Sequence, residues 1–236
     1  MATTIDQFAP PAGGESSFDF TSADGTNVSG SFDVDTNTQT VAISTEGGVL
    51  NEVGIQVVEG IDSTTIFEGK TVNSVFNGNK EINTVFFTDK VKDTSVNTGA
   101  GNDIIQFEKS VGVDLDAGEG DDIAETGSKV KNTNIDMGAG NDLLVFGGTV
   151  RDANIAGGEG ADTFEFFGKI KNTTVDLGGN DGSVDTIKIS SFDDIKDGVV
   201  ITGAEEGDVL IIGDEKYSYD PNTDSWTSPN DTLVFN

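Results

Sequence analysis

The chain contains no cysteine and no histidine. Without cysteine there are no disulfides, no thiolate metal sites and no thiol nucleophile. Without histidine the commonest general base and the commonest transition-metal ligand are also gone, which leaves carboxylate and carbonyl oxygens as the metal donors. Basic residues are scarce: 13 lysines and arginines stand against 42 aspartates and glutamates, a net charge of −29 over 236 residues. Such a surface repels phosphate and argues against nucleic acid as a partner. No apolar run approaches the roughly twenty residues of a membrane span. The stretch from Met1 to Pro10 has neither a basic patch nor an apolar core, so a cleaved secretory signal is not expected there. Only four prolines accompany 31 glycines, and no period-three glycine points to collagen. Hydrophobic residues, 34% of the chain, recur at regular intervals, so the acidity is not a mark of disorder.

What is present is one unit written several times. Val96-Asn-Thr-Gly-Ala-Gly-Asn-Asp103-Ile-Ile, Leu115-Asp-Ala-Gly-Glu-Gly-Asp-Asp122-Ile-Ala, Ile135-Asp-Met-Gly-Ala-Gly-Asn-Asp142-Leu-Leu and Ile155-Ala-Gly-Gly-Glu-Gly-Ala-Asp162-Thr-Phe are copies of it. A looser fifth copy runs from Val175 to Asp185, with an insertion before the aspartate. Self-similarity at a fixed period of about twenty residues predicts a stacked, quasi-one-dimensional repeat. The fold class expected is all-β: a β-solenoid of ~20-residue coils, two strands per coil, capped by β-hairpins at both ends.

Apolar columns support that register. Val96, Leu115, Ile135, Ile155 and Val175 precede the glycine turns, and Ile105, Ala124, Leu144, Phe164 and Ile187 follow the aspartates, with Phe107, Thr126, Phe146, Phe166 and Ile189 two places on. Residues spaced by two share one strand face, so these columns form a thin continuous core, weakest at Ala124 and Thr126. The opposite turn collects base: Lys90, Lys92, Lys109, Lys129, Lys131, Arg151, Lys169 and Lys171. Those residues read either as a solvated, edge-protecting face or as a positive stripe that docks an acidic neighbour.

Hairpin patterning flanks the stack, at Gly30–Ile43 and at Tyr217–Trp226, where Phe32 aligns with Tyr217, Val34 with Tyr219, Asp35 with Asp220, Asn37 with Asn222 and Val41 with Trp226. The organisation expected is an N-terminal β-hairpin cap over 1–48, degenerate coils that have lost the aspartate motif over 49–90, the regular roll that carries it over 91–190 and a C-terminal β cap over 191–236.

The motif Gly-x-Gly-Asn/Asp-Asp followed by an aliphatic residue resembles the nonapeptide of the RTX, or haemolysin-type, calcium-binding repeats. That resemblance implies a parallel β-roll with calcium between successive turns, held by glycine-segment carbonyls and aspartate carboxylates. Carried over, Asp103, Asp122, Asp142 and Asp162 are the ligand aspartates, and Gly99, Gly101, Gly118, Gly120, Gly138, Gly140, Gly158 and Gly160 shape the turns. Asp185 joins them as the member expected to contribute least, because of the insertion. Only one turn per coil carries the motif, which implies several calcium ions in one row. The first motif glycine survives only at Gly157, replaced elsewhere by Thr98, Ala117 and Met137. The alternative is a calcium-free solenoid with an ordinary solvated acidic edge.

No zincin histidine motif and no Gly-x-Ser-x-Gly elbow occur, and a catalytic role is not expected. The function expected is a calcium-binding structural protein exposed outside the cell, either a secreted coat, adhesive or filament protein or a knob-like virion decoration. A calcium-folded carrier or secretion module of an exported enzyme is the alternative. The partner expected is a second copy or another surface or capsid protein. The carboxy-terminal Asp231-Thr-Leu-Val-Phe-Asn236 resembles the tails of type I secretion substrates and equally a final capping strand.

Overall fold

The computed structural model describes residues 3–6, 16–21, 26–33, 36–45, 48–179 and 181–235. Val34, Asp35, Asn236 and most of the stretch from Met1 to Pro10 lie outside these residues. Among the described residues every element is a strand except one short 3-10 turn at Phe192–Asp194, and no helix is long and apolar enough to cross a membrane.

The strands form a parallel β-solenoid. Asp62–Phe67, the first part of Asn83–Gly99, the first parts of Ile104–Asp116 and Ile123–Lys131, then Leu143–Phe146, Thr163–Phe166, Thr186–Ile189 and Val209–Ile212 pair in succession as one long ladder. A second long ladder runs through Val53–Gln56, Val75–Asn79, the ends of Asn83–Gly99 and Ile104–Asp116, then Asn134–Ala139, Thr149–Glu159, Ile170–Asp176 and Val199–Thr202. Alternation decides which side chains face in. Val85, Ile105, Ala124, Leu144, Phe164, Ile187 and Leu210 are buried from one ladder, and Phe76, Val96, Leu115, Ile135, Ile155 and Val175 from the other. Phe67, Phe87 and Phe107 stack face to face at 4.5 and 5.1 Å, and Phe146 on Phe166 at 4.8 Å. Buried Thr126 interrupts that aromatic pile between Phe107 and Phe146, at the layer the sequence marks as weakest.

The basic turn is more ordered than a loop. Lys109-Ser-Val111, Lys129-Val-Lys131 and Thr149-Val-Arg151 pair in register, and Arg151 pairs with Lys171, forming a third, short ladder beside the two long ones. Its central residues Val91, Ser110, Val130, Val150 and Ile170 are buried, so each basic residue flanks an inward anchor. The chain leaves this ladder through Asn73, Asp93, Gly112, Asn132, Asp152 and Asn172, all left-handed at φ +46° to +65°. Asn, Asp and Gly bear that conformation at least cost. The next residue turns inward, and the hydroxyls of Ser74, Thr94, Thr133 and Thr173 donate to the carbonyl two residues back.

Antiparallel hairpins stand at both ends. Thr26–Asp33 pairs with Thr38–Thr45, which joins Asp62–Phe67 in parallel, and Val209–Ile212 leads into Glu215–Asp220 and Ser225–Thr227. Asp33 faces Thr38 and Asp220 faces Ser225, with Asn37 and Asp224 as the left-handed last loop residues. The equivalence is therefore Asn37 with Asp224 rather than with Asn222: the sequence match aligns turn chemistry, while pairing is set by which residue takes the positive φ.

Candidate functional site

The repeated glycine turn is shaped first by sterics. A Cβ on Gly118 would lie 1.8 Å from the Gly99 carbonyl oxygen, one on Gly138 2.0 Å from Gly118, and one on Gly158 1.8 Å from Gly138. The same holds for Gly120 over Gly101 at 2.1 Å, Gly140 over Gly120 at 2.0 Å and Gly160 over Gly140 at 1.9 Å. Gly99 and Gly101 also have positive φ, as do their counterparts in the later coils. Glycine is thus required both for the turn and for the close approach of one coil to the next. The turns are laced together by Glu119 N–H to the Gly99 carbonyl at 3.0 Å and Ala139 N–H to the Gly118 carbonyl at 2.8 Å.

The motif's Asn/Asp-Asp pair then builds two side-chain ladders of opposite direction. On the outside, the N–H of Asp121 donates to Asn102 Oδ1 in the preceding coil at 3.0 Å, Asn141 to Asp121 at 2.8 Å and Ala161 to Asn141 at 3.0 Å. The N–H of Asn141 holds the exposed Asp121 carboxyl below its ordinary range. On the inside, the N–H of Asp103 donates to Asp122 Oδ1 in the following coil at 2.7 Å, Asp122 to Asp142 at 2.7 Å, Asp142 to Asp162 at 2.9 Å and Asp162 to Asp185 at 2.8 Å.

The inner row extends beyond the residues the repeat pattern picks out. Asp185 N–H donates to Asp208 Oδ1 at 2.9 Å, and Glu205 N–H closes on Asp208 Oδ2 at 2.8 Å. At the other end Asn83 N–H donates to Asp103 Oδ1, and the Asn83 amide donates to Asn79 Oδ1, the Glu81 carbonyl and the Thr98 carbonyl. The coil over Val199–Ile212 therefore belongs to the stack, and Asp185 follows Asp162 in the row despite the insertion, as Thr163 pairs with Thr186. Asp208 escapes the sequence alignment because Gly203-Ala-Glu-Glu-Gly207 spaces its glycines differently, although Gly207-Asp208-Val-Leu210 carries the signal.

These carboxylates are not a solvated edge. Asp103, Asp122, Asp142, Asp162, Asp185 and Asp208 are 0–2% exposed. Oδ2 of Asp103, Asp122, Asp142 and Asp162 is buried with no hydrogen-bond partner. Burial pushes Asp103, Asp142 and Asp185 up to about 7 and Asp122 and Asp162 up to about 6; the backbone donors oppose this, while nearby carboxylates add to it. Asp208 is raised by burial as well. Among the described residues no three acidic side chains converge on one point, so the carboxylates form a line rather than a cage.

The donor set fits a hard cation in one respect that matters. A spare, buried carboxylate oxygen recurs in four successive coils, whose strands lie about 4.8 Å apart, and among the described residues none of these four aspartates makes an ion pair. Calcium takes six to eight oxygens, so an ion between neighbouring coils would draw on two aspartates and complete its shell from backbone carbonyls. Thr98, Ala117 and Met137, fully buried at the first motif position, narrow the turn interior in their coils. At Gly157 the missing side chain makes the room: a Cβ there would lie 2.1 Å from Asp162 Oδ2.

No family model, no curated protein and no solved structure matches this chain.

Proposed function

We propose that this chain is a non-catalytic structural protein whose β-solenoid is stiffened by a row of calcium ions along the inner aspartate ladder, and that it works outside the cell in a secreted surface layer or on a virion. The observation that carries this reading is the column of unpartnered, buried Oδ2 atoms on Asp103, Asp122, Asp142 and Asp162. Ionised carboxylates one coil apart repel by about 1 kcal/mol in water and by several at a protein-like dielectric. A divalent cation between coils turns that repulsion into attraction. The residues that would hold it are those four and Asp185; when bound, it supplies fixed positive charge and no reaction chemistry. The resemblance to RTX repeats points the same way. An extracellular setting fits this reading, because calcium modules that work outside cells bind at roughly 0.1–1 mM and each ion here would meet only two carboxylates.

Thermal unfolding followed by circular dichroism in calcium, in magnesium and in chelator tests this. An ion bound only by the folded state stabilises by about 2.7 kcal/mol per site at a hundredfold excess over Kd. Calcium is expected to raise the midpoint by several degrees and magnesium to act weakly. Superimposable curves in calcium and chelator would remove the calcium from this account.

A further inference from the structure

The short ladder sets Lys131, Arg151 and Lys171 side by side as cross-strand neighbours, with Lys129 and Lys169 on the same strip two residues before Lys131 and Lys171. All five are exposed or half-exposed. Like charges in adjacent strands destabilise a sheet, and among the described residues only Arg151 of these five makes an ion pair, with its chain neighbour Asp152. A cationic row with one ion pair among its five members, on a chain of net charge −29, asks for a further anionic partner.

A matching row lies on another face of the same molecule. Asp116, Asp136, Ala156 and Asp176 are successive cross-strand neighbours on the outer face of the second long ladder, and the three aspartates are exposed. Ala156 leaves a shallow trough between Asp136 and Asp176, lined also by Asn154 and Thr174. Lys131 and Lys171 are two coils apart, as are Asp136 and Asp176, and Arg151 falls opposite the trough when the coils are aligned. The two rows share one period because they are rows of the same solenoid.

We infer that the basic strip of one molecule docks onto the acidic trough of a second copy, solenoid axes side by side. A second copy is the occupant the spacing favours, since any other anion would need an independent match to the coil rise. The contact joins two different surfaces, so it is head-to-tail and continues from copy to copy into a row or a ring instead of stopping at an isologous dimer. This names the partner within the structural role proposed above and rests on that reading, in which calcium lowers the general repulsion by about two charges per ion.

Sedimentation velocity in calcium tests the contact with two variants, one carrying Lys129→Gln, Lys131→Gln, Arg151→Gln, Lys169→Gln and Lys171→Gln, the other Asp116→Asn, Asp136→Asn and Asp176→Asn. The wild type is expected to form concentration-dependent oligomers that weaken with salt, and each variant alone to lose association at least tenfold. Mixed at equal concentration, the two variants retain one intact surface each, so they are expected to form a heterodimer that grows no further. The milder pair Lys131→Gln with Lys171→Gln, and Asp136→Asn with Asp176→Asn, carries the same test should a melting curve show either first variant unfolded. A wild type monomeric at every concentration, a variant that assembles like the wild type, or a mixture that stays monomeric overturns the inference. Melting curves of the same samples in calcium and chelator keep the two proposals separate. Docking without a calcium shift sinks only the calcium reading, and a calcium shift without docking sinks only the contact.

Discussion

The backbone N–H of Asp122 donates to the carboxylate of Asp142, 2.7 Å away in the next coil, and the other oxygen of that carboxylate is buried without a partner. One side chain thus does two separable things: Oδ1 fixes the register of two coils, and Oδ2 carries a charge that the protein alone does not answer.

Asparagine and alanine separate the two roles. Asp142→Asn keeps an acceptor for Asp122 N–H and removes the charge, so in chelator it is expected to melt a few degrees above the wild type and in calcium below it. Asp142→Ala orphans the N–H at a cost of about 1–3 kcal/mol, and is expected to melt lower in both. Circular dichroism in the two buffers reads the four combinations.

Position within the row is expected to matter less than the sequence implies. The insertion before Asp185 suggests a minor role, yet Asp185 accepts from Asp162 N–H at 2.8 Å and is 1% exposed. Asp185→Ala is therefore expected to cost as much as Asp142→Ala, within about 1 kcal/mol in chemical denaturation.

Glycine substitutions distinguish stacking from backbone conformation. Gly118→Ala forces a Cβ to 1.8 Å from the Gly99 carbonyl oxygen and is expected to destabilise by about 4 kcal/mol or more. Gly182, at φ +79° with nothing within 4 Å, meets only the conformational penalty, so Gly182→Ala is expected to cost about 1–2 kcal/mol.

Acid should stabilise the calcium-free protein over part of the pH range. The inner carboxyls rise from 3.8 to about 6 or 7 on folding, so between those values the folded state binds more protons than the unfolded one. In chelator their contribution is then greatest near the low end and falls as pH rises to about 7, each group changing stability by up to ~1.4 kcal/mol per pH unit. Calcium, which takes the ionised form, should flatten this slope. Midpoints measured from pH 4.5 to 8 with and without calcium check both statements; a chelated protein that gains stability over that range contradicts them.

The architecture was legible because period and alternation act on many residues at once. Val96, Leu115, Ile135 and Ile155 announce one inward column, and their burial follows from strand geometry alone. The third ladder was harder to read, since Lys129-Val-Lys131 looks like a solvated turn until a neighbouring coil pairs with it. Asn83 and Asp208 were missed for related reasons: one replaces the carboxylate by an amide, and the other follows a glycine pair with altered spacing. The outer ladder of Asn102, Asp121 and Asn141 explains why three of the four regular copies carry Asn or Asp before the aspartate, while Ala161, which only donates, ends it.

The most direct measurement is the anomalous diffraction of crystals grown in calcium, read along the row from Asp103 to Asp185. Ordered cations are expected between successive coils, each about 2.3–2.6 Å from the Oδ2 atoms of neighbouring aspartates. No anomalous peak anywhere on the row would contradict it.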